Sequence, residues 1–296
     1  MQQKTVSRKI FVVINFILML FVVLVCLLPL LNVFAISLSS ASAVSGGSVS
    51  IIPKDITTFA YQKMMDNPLF WSSLRNSVIR VVLGTAINMF LIVTAAFPLS
   101  LGSGRLSGRG FYIAFFMTTM LVSGGLIPTY LTIMNLGLLN NFMALILPTA
   151  VPVFNLIVMI NFFRGIPPAL EEAARIDGAG YWKTLYSIYL PCSLPAIATV
   201  TLFCIVYHWN EWFSAQIYLN DMSMYPLQSY LQIILNQTKP ENMQSMTNAE
   251  LEQMSKLNSQ TINAAQIVIS TIPILLVYPF LQKYFVTGLT LGGVKE

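Results

Sequence analysis

Charged residues are scarce throughout this sequence. The chain has 296 residues, of which 16 are Lys or Arg and 11 are Asp or Glu, so that only 9% are charged. A soluble domain usually carries about a quarter charged residues. The mean hydropathy of +0.72 agrees with this deficit. The composition therefore excludes a soluble globular protein, a disordered chain and a disulfide scaffold, and it indicates an integral membrane protein.

Groups for catalysis and metal binding are also few. The sequence has one histidine and contains no HExxH motif, no GxSxG motif and no Cys/His cluster, which leaves little for a membrane enzyme to use. The three cysteines, Cys26, Cys192 and Cys204, lie far apart in apolar segments and fit no metal site. We expect them to be buried as small hydrophobic residues.

A phosphate-binding loop is missing as well. No Gly-Lys dipeptide occurs anywhere, so the chain has no Walker A motif. If the protein works with ATP, another subunit must hydrolyse it. We therefore expect this chain to bind no cofactor itself.

Long apolar segments are what the sequence does contain. A helix that crosses a bilayer needs roughly 20 mostly apolar residues. Six segments meet this requirement, at about 10–36, 71–101, 111–136, 142–163, 191–213 and 264–284. The first segment follows basic residues, as a signal peptide does, but the apolar region of a signal peptide is only about 7–15 residues long. We therefore interpret it as a retained span.

The distribution of basic residues predicts the orientation of these spans. With the N-terminus in the cytoplasm, ten of the 16 Lys and Arg residues fall on the inner side, although the outer segments are longer. Cytoplasmic loops are enriched in Lys and Arg, and this placement also accounts for the net charge of +5 without nucleic acid as a partner. The predicted fold is an all-α polytopic membrane protein with six transmembrane helices and both termini in the cytoplasm.

The same topology defines three large loops. Residues 37–70 and 214–263 are predicted to be extracellular, and residues 164–190 form a cytoplasmic loop between the fourth and fifth spans. The first outer loop begins with a Ser/Gly/Ala-rich stretch that is typical of a flexible linker. In the second, Leu227, Tyr230, Leu231 and Ile234 have helical spacing, which predicts an amphipathic helix on the membrane surface or on a protein partner.

Ionisable residues are nearly absent from the predicted membrane interior. Arg80, His208 and Glu211 are the exceptions, and each lies near the outer end of a span. Ion-coupled carriers keep such groups at membrane depth, so the pattern counts against a proton- or sodium-driven carrier. Prolines within the spans predict kinked helices.

The cytoplasmic loop 164–190 carries the most informative pattern. Pro168 suits the first turn of a helix, Glu171 and Arg175 form an i,i+4 pair, and Gly178 can end the helix. A second helix from about 181 to 190 places Trp182, Leu185, Tyr186 and Tyr189 on one face. An ordinary amphipathic loop at the membrane interface would also explain this pattern.

One motif within this loop resembles the EAA motif of ABC importer permeases. The motif consists of EAA, a glycine four residues after its last alanine, and I-x-LP further on, and the matching residues are Glu172, Ala173, Ala174, Asp177, Gly178, Ala179, Ile188, Leu190 and Pro191. The six-span layout and the tail 287–296 are similar to the maltose-permease-like carbohydrate importers. Within that family, the chain resembles the branch for complex oligosaccharides and polysaccharides of Gram-positive bacteria, with a plasma-membrane location.

This resemblance implies an assembly and a function. The chain would be a permease subunit that imports a sugar, expected to be an oligosaccharide, together with a second homologous permease. A dimer of ABC ATPase subunits would bind ATP and Mg²⁺, and an extracellular sugar-binding lipoprotein would deliver the sugar. Ten loop residues are expected to couple to the ATPase: Glu171, Glu172, Ala173, Ala174, Arg175, Asp177, Gly178, Ala179, Leu190 and Pro191. Glu172 would be offered to an arginine of the ATPase, and Gly178 would provide the sharp turn.

Candidate sugar contacts lie at the end of the fifth span and at two asparagines. Aromatic faces stack on sugar rings and polar groups bind hydroxyls, and the candidates are Trp209, Asn210, Glu211, Trp212, Asn88 and Asn155, the first four within the aromatic stretch 207–213. An aromatic belt at the membrane interface is an alternative for that stretch, and helix–helix hydrogen bonds are an alternative for the asparagines. The alternative to an ABC permease is an ATP-independent secondary carrier or channel for a small polar solute.

Overall fold

The described part of the chain consists of helices. A computed structural model describes residues 6–102, 104–237 and 259–292, and no strand occurs within these ranges. This confirms the all-α prediction. Most of the outer segment 236–262 and the last four residues of the predicted tail lie outside the described residues.

Fourteen α-helices are found in the described ranges. In chain order they are α1 (Val6–Ser37), α2 (Ala41–Ser45), α3 (Phe59–Met65), α4 (Pro68–Ser100), α5 (Arg109–Leu121), α6 (Leu126–Asn135), α7 (Val153–Arg164), α8 (Pro168–Ile176), α9 (Tyr181–Thr184), α10 (Leu190–Cys192), α11 (Leu194–Asn210), α12 (Phe213–Tyr218), α13 (Leu227–Gln237) and α14 (Ser259–Gly292). Short 3₁₀ segments occur at Phe142–Leu145, Leu147–Thr149 and Met222–Met224, and a π-helical turn occupies Leu185–Tyr189.

These helices fall into two compact units. The first lies within Met1–Asn67 and Ile233–Ile272, and the second lies within Pro68–Gln232 and Pro273–Glu296. In the first unit, α1 is long enough to cross a membrane, and none of its most apolar stretch is buried within the chain. Its leucine, valine and phenylalanine side chains are therefore available to lipid.

Hydrogen bonds order the serine-rich segment that follows α1. The Ser39 hydroxyl donates to the Ala35 carbonyl over 2.7 Å and accepts from the Lys54 backbone N–H over 3.0 Å. The Tyr61 hydroxyl donates to Ser37 Oγ over 2.7 Å. The prediction of a flexible linker was therefore wrong. Short serine side chains can bond to nearby backbone groups, and here these bonds hold the segment in place.

The second unit is built on a bundle of α4, α7 and α11, which pack against one another. Its buried core includes Ile92 and Phe97 of α4, Leu156 and Phe163 of α7, and Val200 of α11. Helix α13 covers part of the same unit, because Leu227, Tyr230 and Leu231 are buried and the Leu227 N–H donates to Ser77 Oγ over 2.7 Å. The predicted amphipathic helix thus rests on its own chain.

Several predicted spans are bent rather than continuous. Among the described residues, three helices are long and apolar enough to cross a membrane, and six spans result only if three bent pairs each count as one. Helices α5 and α6 meet at 117°, so the segment 111–136 is not one helix. The break is at Gly125, whose φ of +83° suits glycine alone among common residues. The other pairs bend by 46° before α7 and by 84° before α11, and both bends lie near prolines.

The expected burial of the cysteines holds at one position only. Cys204 is buried in the bundle, whereas Cys26 and Cys192 are exposed. The prediction was wrong for those two because an apolar segment of a membrane protein can face outward from its own chain.

Helices α4 and α11 approach each other closely at Gly84. A Cβ atom at Gly84 would overlap the ring of His208, which is fully buried and whose Nε2 pairs with Asn88 Oδ1 at 2.8 Å. The ring cannot swing away without losing that bond.

We expect Gly84→Ala to destabilise the bundle by about 1–3 kcal/mol through overpacking. The measurement is thermal unfolding of the purified protein in detergent. Gly102→Ala is the matched control, because a Cβ there meets no atom within 4 Å. A second comparison introduces Gly84→Ala into the His208→Ala variant, which has no ring for the new Cβ to overlap. If Gly84→Ala lowers the stability of that variant as much as it lowers that of the wild type, the contact with His208 is not the cause.

Candidate functional site

Helix α8 forms the first half of the predicted coupling loop. Pro168 occupies its first turn, Glu171 lies near its positive N-terminal end and Arg175 lies in its last turn. The helix ends where Gly178 adopts a φ of +73° and the Ala179 N–H bonds back to the Ala174 carbonyl over 2.8 Å. The predicted helix start, ion pair and glycine end are therefore all present.

The two adjacent glutamates of α8 have opposite environments. Glu171 is 5% exposed, and its carboxylate pairs with Arg105, accepts from the Tyr189 hydroxyl over 3.2 Å and lies 3.4 Å from Arg175. Glu172 is exposed, and its carboxylate has no hydrogen bond or ion pair among the described residues. Since neighbouring residues on a helix point about 100° apart, only Glu172 is available to a partner.

The second half of the loop differs from the predicted α-helix. Helix α9 passes into the π-helical turn Leu185–Tyr189 and then into α10, which carries Leu190 and Pro191. Leu185 and Tyr189 are buried, whereas the Trp182 and Tyr186 rings stack on each other and are exposed. The prediction of one shared face was therefore wrong, because the residues divide between an inner and an outer face.

A cavity of about 550 Å³ lies within the second unit, bordered by α4, α7, α11 and the end of α5. We call it the Asn155 cavity. Its lining consists of Asn88, Thr119, Met120, Pro148, Thr149, Val151, Pro152, Val153, Phe154, Asn155, Phe203, Cys204 and Tyr207. None of these residues is charged, and the side chains of Phe154, Phe203 and Tyr207 are all exposed.

Two of the predicted sugar contacts line this cavity and four do not. Asn88 and Asn155 border it, whereas residues 209–212 lie elsewhere. The Asn88 amide donates to the Thr149 carbonyl over 2.8 Å and also pairs with His208, so it ties helices together. Among the described residues, the Asn155 amide donates only to Cys204 Sγ, at 3.4 Å, which is a weak interaction.

The aromatic lining was largely missed from sequence. Phe203 and Tyr207 are spaced i,i+4 on α11 and so share a face, and the Phe154 ring lies 6.3 Å from the Phe203 ring. Tyr207 belonged to the predicted aromatic stretch 207–213, but Phe154 and Phe203 were not candidates. The i,i+4 spacing was a signal that could have found Phe203.

Glu211 takes part in a partly buried ion pair instead. The guanidinium of Arg80, 1% exposed, pairs with the Glu211 carboxylate and donates to the Glu211 carbonyl over 2.6 Å, to the Leu145 carbonyl over 3.2 Å and to Ser214 Oγ over 3.1 Å. The Ser214 N–H donates to the same carboxylate over 2.8 Å. This cluster joins α4 to the end of α11, to α12 and to the segment before α7.

The family model described as "Binding-protein-dependent transport system inner membrane component" matches residues 1–290. The chain is 43% identical over 273 residues to the polygalacturonan/rhamnogalacturonan transport system permease protein YtcP of Bacillus subtilis (strain 168), covering 92% of this chain and 93% of that protein. It is 40% identical over 291 residues to protein LplC of the same organism, covering 98% and 97%.

A solved structure has the same fold. It comes from a bacterial ABC transporter involved in the import of the acidic polysaccharide alginate, and it superimposes with a TM-score of 0.83 at 34% sequence identity. The match covers 96% of this chain and 100% of the solved chain. The likeness therefore extends to both units and to the segments that carry the predicted coupling loop and the cavity.

We expect Arg80→Met to destabilise the protein by about 3–5 kcal/mol, because it leaves the Glu211 carboxylate partly buried without its cation. Thermal unfolding in detergent measures the effect. Arg75→Met is the matched control, since Arg75 is exposed on the same helix. The double variant Arg80→Met/Glu211→Leu removes both charges and should recover much of the loss. A double variant as unstable as the single one would contradict this explanation.

Proposed function

The chain belongs to the family of binding-protein-dependent transport system inner membrane components, and from this membership we propose a function for each of its parts. It is the membrane-embedded permease subunit of a sugar ABC importer. Two of the similar proteins described above, the permease YtcP and the alginate transporter, are named for polysaccharides. The cargo we propose is accordingly an oligosaccharide.

The proposed topology places the coupling loop in the cytoplasm. The excess of Lys and Arg on the segments assigned to the inner side supports an inward N-terminus and C-terminus. In that orientation α8 faces the ATPase. The exposed carboxylate of Glu172 carries this proposal, because it is a charge on a short helix with no partner among the described residues of its own chain.

The remaining partners follow from this arrangement. An ATPase dimer binds ATP and Mg²⁺ and holds α8, with Glu172 directed at a basic residue, while this chain binds no cofactor. Helix α5 buries none of its residues within the chain, so its apolar side chains are available to a second homologous permease and to lipid. An extracellular sugar-binding lipoprotein delivers the sugar from outside.

The Asn155 cavity is the proposed contribution of this subunit to the sugar path. Binding sites for small molecules combine apolar and aromatic lining with a few polar groups. Here Phe154, Phe203 and Tyr207 offer ring faces and edges, and Asn155 offers an amide that is bonded only weakly to its neighbour. Ring faces stack on the apolar faces of sugars, and the amide suits their hydroxyl groups.

We expect Glu172→Gln to weaken the hold of the ATPase. Replacing the carboxylate removes a charge-assisted bond worth about 1.5–3 kcal/mol, so both co-purification of the ATPase and transport in liposomes should fall by about tenfold or more. Asp66→Asn is the matched control, since it removes an exposed carboxylate from the predicted outer loop. Normal ATPase retention in Glu172→Gln would reject the docking assignment.

We expect Phe203→Ala to raise the sugar concentration needed for half-maximal transport, because it removes a ring face from the Asn155 cavity. A stacking contact of about 1 kcal/mol predicts a change of roughly fivefold. Transport kinetics in liposomes measure it, with ATPase retention as a check on assembly. Phe90→Ala is the control, because Phe90 is exposed on α4 outside the cavity. Unchanged kinetics in Phe203→Ala would remove this cavity from the sugar path.

A further inference from the structure

Helix α8 is attached to its own chain through a single buried side chain. Glu171 is the only residue of this helix that is buried, and the rest of the helix is exposed or half-exposed. No apolar side chain of α8 is buried against the chain, although a buried apolar face normally fastens a helix to a protein body. The contacts of the Glu171 carboxylate take its place.

The partners of Glu171 come from other parts of the second unit. Arg105 lies in the short connection between α4 and α5, and Tyr189 lies in the π-helical turn. That connection is itself fastened to α4, because Arg109 Nε donates to the Leu99 carbonyl over 2.9 Å and Leu101 is buried.

The ring of Tyr189 continues the attachment into the bundle. It packs edge-to-face on Phe97 of α4 at 4.8 Å and on Phe163 of α7 at 5.4 Å between ring centroids. Its hydroxyl meanwhile donates to Glu171 over 3.2 Å. One side chain thus touches the carboxylate of α8 and two of the helices that border the Asn155 cavity, α4 and α7.

We propose that Glu171 is a positioning residue, which makes α8 and the α4–α7–α11 bundle move together through Arg105 and Tyr189. This inference rests on the proposed function and separates the roles of the two glutamates. Glu172 holds the ATPase, and Glu171 transmits the displacement of α8 to the bundle. Without the Glu171 contacts, no buried side chain of α8 joins it to the bundle, so its movement no longer displaces the sugar path.

The test compares Glu171→Gln with Glu172→Gln in the full transporter, reconstituted in liposomes with its ATPase, partner permease and binding protein. In Glu171→Gln we expect normal ATPase retention and continued ATP hydrolysis, with about tenfold less sugar imported per ATP, within the usual size of coupling between sites. In Glu172→Gln the ATPase itself should be lost.

Two further variants address the partners. Tyr189→Phe removes only the hydroxyl and should lower the sugar imported per ATP by a smaller factor. Exchanging the charges in Arg105→Glu/Glu171→Arg should recover more transport per ATP than either single variant, which a general loss of folding would not allow.

The outcomes distinguish failure of the positioning role of Glu171 from failure of the proposed function. A wild-type ratio of sugar to ATP in Glu171→Gln would overturn the positioning role, and so would a charge exchange that recovers nothing. Loss of the ATPase from Glu171→Gln would also overturn it, by placing Glu171 in the docking surface. Normal ATPase retention in Glu172→Gln would instead reject the docking assignment.

Discussion

A carboxylate can be buried in an apolar protein only beside groups that compensate its charge. This constraint determines the arrangement at both ends of the α4–α7–α11 bundle. At one end Glu211 is held by Arg80, and at the other Glu171 is held by Arg105 and Tyr189. In each case the cation lies on α4 or directly after it, so α4 serves as the common support for both polar clusters.

These charged side chains already have partners within the protein, and this bears on how the protein transports its cargo. An ion-coupled carrier needs an ionisable group that exchanges its partner during the cycle. Arg80 instead has four hydrogen-bond acceptors in fixed positions, and the Asn155 cavity is lined by uncharged side chains. This chemistry suits a neutral surface for sugar rings and hydroxyls, with the energy for transport delivered from outside the bundle.

Local patterns predicted the parts of the structure that depend on local interactions. The helical content followed from the apolar segments, and the bounds of α8 followed from Pro168 and Gly178, because helix ends are set by the residues at those ends. The inward turn of Glu171 did not follow, since two adjacent glutamates give no indication of which one faces the protein. The pairing of Arg80 with Glu211 joins residues 131 positions apart, which no local pattern reveals.

The bends within the predicted spans could not be predicted from hydropathy either. Hydropathy measures length and apolar content, so the segment 111–136 satisfied it even though its two helices meet at 117° around Gly125. The bend of 84° before α11 has a mechanical consequence as well. It follows the π-helical turn that places Tyr189 between Glu171 and the bundle, and it precedes the helix that carries Phe203 and Tyr207. A displacement of α8 therefore enters the bundle at Tyr189, on the same stretch of chain that continues through the bend into the wall of the Asn155 cavity.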